Sequence, residues 1–590
     1  MILAFLFLLH CVLVGWVASA FVSFNDSLKK LAAAILLGVL INGFLVLGFS
    51  WLLGSLSLFS IILGVLVSSV FVLFYRAKLS FNFSFDVKDS AVILFFVLLI
   101  GFFVFTSFQL VDGNYRAVQN VHSDYPFHLG VLNSFFLNNN FPPSYFIFNA
   151  PLAYSFFFDF FSAILSILGL EFSLALGIPS VLVLFSLIVF LYFIAKNYSN
   201  RKTALIFLAL FFFFSSLASI NVLTDFASGA LQLKDYTNFS DQGLRLINFV
   251  TSLLAPQRHF ILGAAMVAFL FFVLTRNPSK KELFVAGFVF ALLPLSHTAS
   301  FVVAGVMVAW FFFRKPVSDW LYFIPPCVLL LPQLAWFLFN KNAASLISFQ
   351  PGWLAGTSLL DFTWFWLSNG WIVLVFGVVG LFLVKEKTRL DFAPFLLFFI
   401  LANFIRFQPW DWDNTKFFFY AFLALAFFAA VTINKVFSLK PKIVFSSIAV
   451  IVLFLGVLAG AHAVYSYSQP EAHYLIFSQN DLNAAYWIVE NTPSDVVFLT
   501  PRAPNVIVPS LTGRRTILGF EGWVWSHGLS HSELKEKLGF AVLNGDCIAL
   551  KELGVSYVLF SGLENDYAVG DFTSGFVVVY ENPSILKLVC

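Results

Sequence analysis

Asp124 is the side chain with the best placement for chemistry in this chain of 590 residues. It lies between two imidazoles, those of His122 and His128, and the three residues that follow it, 125–127, are Tyr-Pro-Phe rather than polar. A carboxylate in an apolar setting at a membrane edge is placed to take a proton from the hydroxyl of an acceptor. Residues 125–137 have helical periodicity, which predicts a helix along the bilayer surface that positions this carboxylate.

Two other interpretations of this segment stay open. In an average external loop, Asp124 would be an ordinary solvated carboxylate. An Asp with two His could instead bind a divalent cation, although three potential ligands at this spacing are a weak metal signal. The four cysteines include no Cys-x-x-Cys pair, which argues against a structural zinc site. The sequence therefore assigns no metal ligand and leaves a divalent cation as an open alternative.

A second polar cluster, RFQPWDWDNTK at 406–416, lies between two apolar runs on the same predicted face as Asp124. A charge at the centre of a bilayer costs roughly 2.5–3.5 kcal/mol. The ionisable groups of this cluster therefore require either mutual pairing or a shared aqueous cavity. In the functional interpretation, Arg406 and Lys416 meet a phosphate, and a neighbouring carboxylate orients them or a sugar hydroxyl. The candidate carboxylates are Asp411 and Asp413.

Two aromatic segments are candidates for substrate binding. Trp412 and its neighbour Trp410 are either interfacial anchors, the safer interpretation, or a stacking platform for a sugar. The segment GFEGWVWSHGL, 519–529, carries Glu521 and His527. It either closes over the membrane cavity from outside or forms a packed loop of its own domain, and the sequence favours neither.

Arg258 lies in LLAPQRHF, 253–260, where a predicted external loop re-enters the membrane. Its planar guanidinium can bind two phosphate oxygens at once, which suits a lipid-linked phosphate. An interfacial Arg that snorkels to water is an equally good interpretation.

The composition places the chain among membrane proteins. Hydrophobic residues make up 60% of it and charged residues only 11%, which is too little charge to cover a soluble protein of this size. The net charge of +3 is too small to indicate nucleic acid binding. Apolar runs of the ~20 residues that a spanning helix needs predict a polytopic α-helical membrane protein with about 14–15 membrane segments.

Basic clusters between the apolar runs predict the orientation of the chain. By the positive-inside rule, the cytoplasmic clusters are those at 29–30, 76–88, 196–202, 276–281, 314–315, 385–389 and 435–442. The external parts are then the loops at 111–155, 221–258, 340–369 and 406–416, and everything after 463. The chain is thus expected to be a multi-pass protein of the cell membrane with its active face outside.

One segment disagrees with this scheme. Residues 151–170 resemble a span, yet both flanks would have to be external. Either this segment is re-entrant or the cluster at Lys196 breaks the charge rule, which is statistical.

A soluble domain is predicted for residues 464–590, where charges, Asn, Pro and Gly become ordinary in frequency. Short β-rich runs alternate there with helical segments, which indicates a small α/β domain. The predicted strands are 496–500, 516–520 and 556–560, and the predicted helices are 478–492, 530–538 and 545–555. Cys547 and Cys590 could pair in this domain, although connectivity cannot be deduced from sequence.

This order of features resembles the GT-C superfamily of membrane glycosyltransferases, which includes the protein O-mannosyltransferases, the aminoarabinose transferases and the oligosaccharyltransferases. SDYPFH at 123–128 stands where an Asp-Glu pair is common in the first external loop, and PLAY at 151–154 stands for a Pro-Pro-Leu-Tyr-like element. Two departures are that the second acidic position is Tyr125, and that three extra helices in 1–75 precede the usual first one. The segments WDWDNTK and GFEGWVWSHG look like those of archaeal and bacterial relatives.

The resemblance implies extra N-terminal helices over 1–90, a GT-C-like membrane domain over 91–463 and an external domain after it. It also implies an enzyme that moves a sugar from a polyprenyl-phosphate-linked donor to an external glycan, lipid or protein acceptor. Asp124 would be the general base, with His128 as a second catalytic residue and His122 near the substrate. The donor phosphate would be held by Arg258, Arg406 and Lys416, whose charges stabilise the leaving group.

Two other functions compete with this one. A transporter or flippase predicts ionisable groups near the midplane of spans and a two-fold repeat, whereas here these groups cluster in loops at one face and no repeat is visible. A non-catalytic relative whose soluble domain binds a partner is the other alternative. The sequence names neither the sugar nor the acceptor.

Overall fold

The structure is a computed structural model that describes residues 1–79, 84–137, 150–340, 347–563 and 572–590. Residues 138–149, which belong to the predicted external loop 111–155, lie outside this described part.

The described chain is mostly helical. Its helices up to the middle of the chain are α1 Ile2–Ser19, α2 Ser27–Leu53, α3 Leu58–Phe74, α4 Val87–Thr106, α5 Asp124–Phe136, α6 Phe157–Ile167, α7 Phe172–Tyr198, α8 Arg201–Phe213, α9 Ala218–Ala227, α10 Arg258–Leu274, α11 Lys280–Ala291, α12 Leu293–Ser296 and α13 Thr298–Phe312. The remaining helices are α14 Val317–Trp320, α15 Leu330–Asn340, α16 Leu359–Leu383, α17 Glu386–Phe404, α18 Thr415–Val436, α19 Lys442–Tyr467, α20 Gln479–Asn491, α21 Ile507–Leu511, α22 Glu521–Ser526, α23 Ser532–Leu543 and α24 Cys547–Glu552.

Ten short strands form three small sheets in the described chain. The strands are β1 Phe108–Val111, β2 Asn114–Val118, β3 Ser348–Phe349, β4 Ile405–Arg406, β5 His473–Phe477, β6 Val497–Leu499, β7 Arg515–Thr516, β8 Tyr557–Phe560, β9 Phe576–Tyr580 and β10 Ser584–Leu588. The sheet orders are β1-β2-β5, β7-β6-β8-β10-β9 and β3-β4.

Seven helices of the described chain are long and apolar enough to cross a membrane, and an eighth span results if α8 and α9, bent by 80°, count as one. The seven are α1, α2, α4, α7, α16, α18 with its preceding turn, and α19. Five shorter apolar helices lie among them: α3, α6, α10, α13 and the segment Pro325–Asn340. The prediction of a polytopic helical membrane protein is therefore confirmed. The sequence predicted about 14–15 membrane segments, which compare with seven or eight spans and five shorter apolar helices in the described chain.

The first two helices cross at glycines. A Cβ added at Gly15 of α1 would come within 1.8 Å of the Ala34 carbonyl oxygen on α2, and one added at Gly38 within 1.9 Å of the Cys11 carbonyl oxygen. Such small residues let the two backbones approach closely. Close packing of this kind drives helix association in a bilayer, where no water is expelled from between the helices.

One end of the bundle collects the basic clusters and pairs them with carboxylates. Arg201 Nε lies 2.6 Å from Asp89 Oδ1, and Lys196 bonds the other oxygen of that carboxylate. Arg314 Nη1 lies 3.0 Å from Asp391 Oδ1. The clusters at 196–202 and 314–315, which the sequence assigned to one side of the membrane, thus belong to one network, because Tyr198 also bonds Asp391.

Helix α6 resolves the ambiguity over 151–170. Its 11 residues extend roughly 16 Å at 1.5 Å per residue, about half of the ~30 Å hydrocarbon core. It is buried over almost its whole length, and α7 begins a few residues after it, capped by Glu171, whose carboxylate also accepts a hydrogen bond from Tyr115 in β2. Helix α6 is therefore too short to span the bilayer alone, which favours the re-entrant interpretation of 151–170, and that interpretation leaves the charge rule intact at Lys196.

The C-terminal part is fastened to the membrane part. Strand β5 pairs antiparallel with β2, so the segment after α19 extends the hairpin that follows α4. In the five-stranded sheet, β6 lies parallel to β7 and β8, and β10 lies antiparallel to β8 and β9. The α/β character predicted for this region is confirmed, and Cys547 and Cys590 form a disulfide.

Candidate active site

Helix α5 fixes the position of Asp124. This residue occupies the first turn of the helix, where the N-terminal dipole favours a negative charge, and Pro126 is tolerated there because first-turn N–H groups have no partner within the helix. The ring of Tyr125 stacks on Phe108 at 4.7 Å. Its hydroxyl bonds Ser107 and donates to the carbonyl oxygen of Ala255 at 3.1 Å. The start of α5 is thus held between β1 and the segment that leads into α10.

The carboxylate of Asp124 has no bonded partner in the described part of the chain, where no hydrogen bond or ion pair reaches it. Part of the Asp124 side chain is accessible to solvent, and the rest is closely surrounded by other protein atoms. Burial raises the pKa of Asp124 above its ordinary value, and the positive charges of His128 and Lys416 offset part of that rise. A carboxylate with free lone pairs and a raised pKa suits a group that accepts a proton.

Behind Asp124 lies a buried polar network centred on Asp159 of α6. Arg258 Nη1 donates to Asp159 Oδ1 at 2.7 Å, and His128 Nδ1 and His259 Nε2 donate to Oδ2 at 3.0 and 3.1 Å. All four side chains are at most 3% exposed. Since the negative charge is paired and hydrogen-bonded on both oxygens, this network meets the requirement for burying a carboxylate in an apolar bundle.

This network fixes the orientation of the His128 imidazole ring. Its Nε2 lies 2.9 Å from the carbonyl oxygen of Pro256, and its Nδ1 faces the carboxylate of Asp159. A carbonyl and a carboxylate both accept hydrogen bonds, so each ring nitrogen of His128 faces an acceptor inside the protein. This leaves no ring nitrogen of His128 for proton transfer with a substrate, and the predicted catalytic role of His128 becomes a positioning role.

His128, Asp159 and His259 could also offer one ligand atom each to a metal ion, because these atoms lie within 4.8 Å of one another. The hydrogen-bond pattern does not suit a cation, however. Both imidazoles present N–H groups to the carboxylate, and the guanidinium of Arg258 holds its other oxygen. A bound cation would have to displace these N–H donors from the carboxylate. It would also lie next to the positive charge of Arg258, which repels it.

Arg258 is engaged inside the protein, which corrects the expectation that it holds the donor phosphate. Its Nε and Nη2 donate to the Leu176 carbonyl oxygen, to Ser180 and to Ser162, in addition to the bond to Asp159. The side chain is 1% exposed. Since all three guanidinium nitrogens are in use, Arg258 is removed from the set of phosphate ligands.

The 406–416 segment folds into a tight turn before α18. Arg406 Nη1 lies 3.2 Å from Asp411 Oδ1, and Lys416 Nζ lies 3.0 Å from Asp413 Oδ1. The mutual pairing considered for this cluster is thus present. The two pairs differ in depth, because Arg406 and Asp411 are 32% and 42% exposed, whereas Lys416 and Asp413 are 11% and 13% exposed. The charges of Lys416 and Asp413 also act on Asp124, in opposite directions, so this inner pair belongs to the electrostatic surroundings of that carboxylate.

The C-terminal domain covers this site through α22 and His527. The ring of Trp523 contacts Phe127 of α5 at 5.3 Å, and His527 stacks on Phe127 at 5.9 Å and contacts Tyr154 at 5.4 Å. Burial lowers the pKa of His527 to about 4, so its imidazole is neutral at physiological pH. The segment 519–529 therefore closes over the membrane part.

The tryptophans of the 406–416 turn contact the same aromatic segment, 519–529, which we call the aromatic roof of the site. Trp410 stacks on Trp412 at 5.1 Å and contacts Trp525 edge-on at 4.9 Å. Trp412 is 54% exposed and Trp525 is 45% exposed, so they present open aromatic faces at the rim.

Two other predicted substrate-binding residues lie further out. His122 is exposed, with Nδ1 2.8 Å from the Gln119 carbonyl oxygen. Glu521 is bound by Arg502 and by Lys535 Nζ at 2.7 Å. Burial opposes ionisation of Glu521, but Lys535 and Arg502 hold its pKa below the ordinary value. Glu521 therefore serves the internal packing of its domain.

The sequence reasoning missed Asp159 and His259. Asp159 is a single carboxylate in the apolar run SFFFDFFSAIL, and an ionisable residue inside such a run is itself a functional signal. His259 directly follows Arg258, which was singled out. The contact of both with His128 joins three separate segments, and nothing in the spacing reveals it.

No protein-family model matches the sequence, and no curated protein is similar to it. Among solved structures, the oligosaccharyltransferase of Archaeoglobus fulgidus in its apo form matches with a TM-score of 0.42 and 14% identity, over 80% of this chain and 69% of that one. AglB from the same organism, in complex with an inhibitory peptide and a dolichol-phosphate, matches with a TM-score of 0.41 and the same identity and coverage. ArnT from Cupriavidus metallidurans bound to undecaprenyl phosphate matches with a TM-score of 0.42 and 10% identity, over 85% of this chain and 97% of that one.

Because the TM-scores lie below 0.5, the activity of this chain has to be inferred from its own side chains.

Proposed function

We propose that this protein is a membrane glycosyltransferase of the GT-C type. It would move a sugar from a polyprenyl-phosphate-linked donor to an acceptor on the outer side of the membrane. The observation that carries this proposal is the carboxylate of Asp124, which lacks a bonded partner in the described chain, has a raised pKa, and lies at the start of α5, the helix that the aromatic segment 519–529 contacts.

In this proposal Asp124 accepts the proton of the acceptor hydroxyl as that oxygen attacks the anomeric carbon of the sugar. The bond from that carbon to the lipid phosphate breaks, and the phosphate leaves with the electron pair. The proton stays on the Asp124 carboxylate until solvent removes it.

Lys416 is the cation best placed to stabilise the leaving phosphate. It is only 11% exposed, lies in the first turn of α18 and acts electrostatically on Asp124. A cation beside a helix N-terminus attracts phosphate, and both effects are stronger in a site that excludes water. Arg406, on the exposed side of the same turn, would meet the donor as it enters.

The network around Asp159 supports the site from behind. It holds His128 on α5 and joins α5, α6 and α10. We propose that it works without a metal, because its donors already fill both carboxylate oxygens.

The transporter alternative requires ionisable groups that change partners along a path through the membrane. In the described chain the cluster around Asp159 is saturated with hydrogen bonds. The other charges of the site are Asp124 at the start of α5 and those of the 406–416 turn. This arrangement favours chemistry at one face over translocation.

The proposal is tested with Asp124→Asn, expressed in a deletion strain of the native host. We expect sugar transfer to fall by about 10²–10⁴-fold, the usual contribution of a general base, with the amount of membrane-inserted protein unchanged. The readout is mass spectrometry of surface glycans, glycolipids and glycoproteins.

The matched control is Asp112→Asn. Asp112 is an exposed carboxylate in the β1–β2 turn, and its φ of 48° is one that Asn also adopts. The control should restore the wild-type profile. An Asp124→Asn strain with a wild-type profile would show that the protein does not use this carboxylate for catalysis.

A further inference from the structure

A large apolar cavity lies between the N-terminal helices and α11, α12 and α15. We call it the N-terminal cavity; its volume is about 780 Å³, within the range of ligand-binding cavities. Helices α2 and α3 form one wall, with Phe44 and Phe71, and the opposite wall includes Phe284, Phe288 and Leu295. These walls include the helices that the sequence resemblance marks as additions to the usual fold.

The cavity is long. Its lining on α2 runs from Leu37 to Trp51; the fourteen rises of 1.5 Å between these residues span roughly 21 Å. One leaflet contributes about half of the ~30 Å hydrocarbon core. A lipid whose chains stay within one leaflet would therefore fill only part of this space, whereas a single longer chain would fill it.

The two ends of the cavity differ. At one end Trp51 and Trp336 meet edge to face at 5.7 Å. The indole N–H of Trp336 is buried there, and no described residue accepts a hydrogen bond from it. An unpartnered buried donor is costly, so this end suits an oxygen atom of a bound lipid. Lys281 lies at the other end, and no described carboxylate forms an ion pair with it.

The Trp336 end adjoins the candidate active site. Phe44 on the cavity wall stacks on Phe157 of α6 at 4.0 Å, and Trp336 contacts Phe156 at 6.3 Å. Two residues before Phe156, Tyr154 contacts both Phe127 and His527. The Trp336 end of the cavity and the aromatic segment 519–529 are therefore connected through the short segment from 154 to 157.

We propose that the N-terminal cavity holds the polyprenyl chain of the donor lipid. The chain would run from the Trp336 end, beside the site, toward Lys281, and the added helices would make the enzyme selective for a long isoprenoid. This inference rests on the proposed function for its donor, but it concerns binding, which can be measured apart from transfer.

The test uses Gly48→Trp in the full-length protein. Gly48 lines the cavity, and a Cβ built on it meets nothing within 4 Å, so the new side chain fills the space without displacing backbone. The matched control is Gly305→Trp in α13, where a Cβ also meets nothing within 4 Å but the residue does not line the cavity. Detergent-purified proteins are incubated with undecaprenyl phosphate, and binding is followed by native mass spectrometry.

We expect Gly48→Trp to bind undecaprenyl phosphate at least about tenfold more weakly than wild type, since binding of a lipid chain scales with the apolar length it buries. Gly305→Trp and Asp124→Asn should bind it like wild type. Equal binding by Gly48→Trp and Gly305→Trp overturns the inference, whatever the transfer assay shows. So does a Gly48→Trp protein that loses co-purified phospholipid but keeps undecaprenyl phosphate, because the cavity would then hold a membrane phospholipid with its phosphate at Lys281.

Discussion

Asp124 and Asp159 lie on consecutive helices, α5 and α6, and differ in how many partners each carboxylate has. Asp159 accepts three hydrogen bonds from Arg258, His128 and His259, whereas no described group donates to Asp124. A saturated carboxylate fixes the positions of its neighbours. An unsaturated one is energetically unfavourable in the resting protein, and this is the condition expected of a group that must bind a proton during a reaction.

The first prediction at this scale concerns pH. A general base works only when ionised, so activity should rise with pH through the pKa of Asp124. Because burial raises that pKa, we expect the midpoint of the acid limb of kcat/KM to lie above the ordinary value of 3.8. The measurement is the pH profile of transfer by the purified protein. A profile with its acid limb at or below 3.8 would contradict the environment described for Asp124.

The second prediction concerns stability. Asp159→Asn removes the charge that compensates Arg258 inside the bundle, and breaking a buried pair in this way costs about 3–5 kcal/mol. We expect a clear fall in Tm for this variant by differential scanning fluorimetry. Asp124→Asn is the comparison, and its Tm should equal or exceed that of wild type, because it removes a charge that burial disfavours. Equal Tm values for the two variants would contradict the difference in partners.

Asp124, the 406–416 turn and the aromatic segment 519–529 could be found from the sequence, because polar or aromatic groups in an apolar chain are conspicuous. The function of Arg258 could not be predicted, because an Arg at a membrane edge looks the same whether it faces water or a buried carboxylate. Its partner Asp159 is 99 residues away, and such a contact follows from helix packing rather than from local pattern.

At the scale of elements, α22 and the sheet β1-β2-β5 decide whether the site is closed. Strand β5 extends the hairpin beside the site, and α21 adds a hydrogen bond from Asn133 of α5 to the Ser510 carbonyl oxygen at 2.8 Å. The C-terminal domain is thus part of the site. The sequence predicted β6, β8, α20, α23 and α24 in place, because each carries its own periodicity. It did not predict β5, β9 or β10, whose pairing depends on distant strands.

The disulfide between Cys547 and Cys590 gives a prediction for this domain. The two residues are 43 apart, and closing a loop of that length stabilises a fold by about 4 kcal/mol in the chain-entropy account. We expect Cys547→Ser with Cys590→Ser to lower the denaturant midpoint of the C-terminal domain, followed by tryptophan fluorescence. Cys327→Ser, which removes a free cysteine, is the control and should leave the midpoint unchanged. A double variant as stable as this control would show that the bridge contributes nothing to folding.

At the scale of the whole molecule, the two ends of the bundle have opposite characters. One end holds the paired clusters around Asp89 and Asp391, and the other holds the candidate site and its aromatic roof. By the positive-inside rule, we expect a protein with this asymmetry of Lys and Arg to orient its basic end toward the cytoplasm.

This orientation is testable by labelling. Asn197 is exposed at the basic end, one residue after Lys196, and Ser228 is exposed at the end of α9. We expect Ser228→Cys to react with a membrane-impermeant maleimide in intact cells, and Asn197→Cys to react only after the membrane is permeabilised. The reverse pattern would place the site inside the cell, where it could not serve an external acceptor.

The pairing of β2 with β5 has a consequence for biosynthesis. The hairpin that carries β2 leaves the ribosome early, yet its partner strand and the residues of the roof follow only after the last membrane helix, α19. The membrane helices of a nascent chain must therefore be inserted before Asp124 acquires its cover. A polypeptide truncated before β5 would lack both the third strand of this sheet and the aromatic side chains that cover α5.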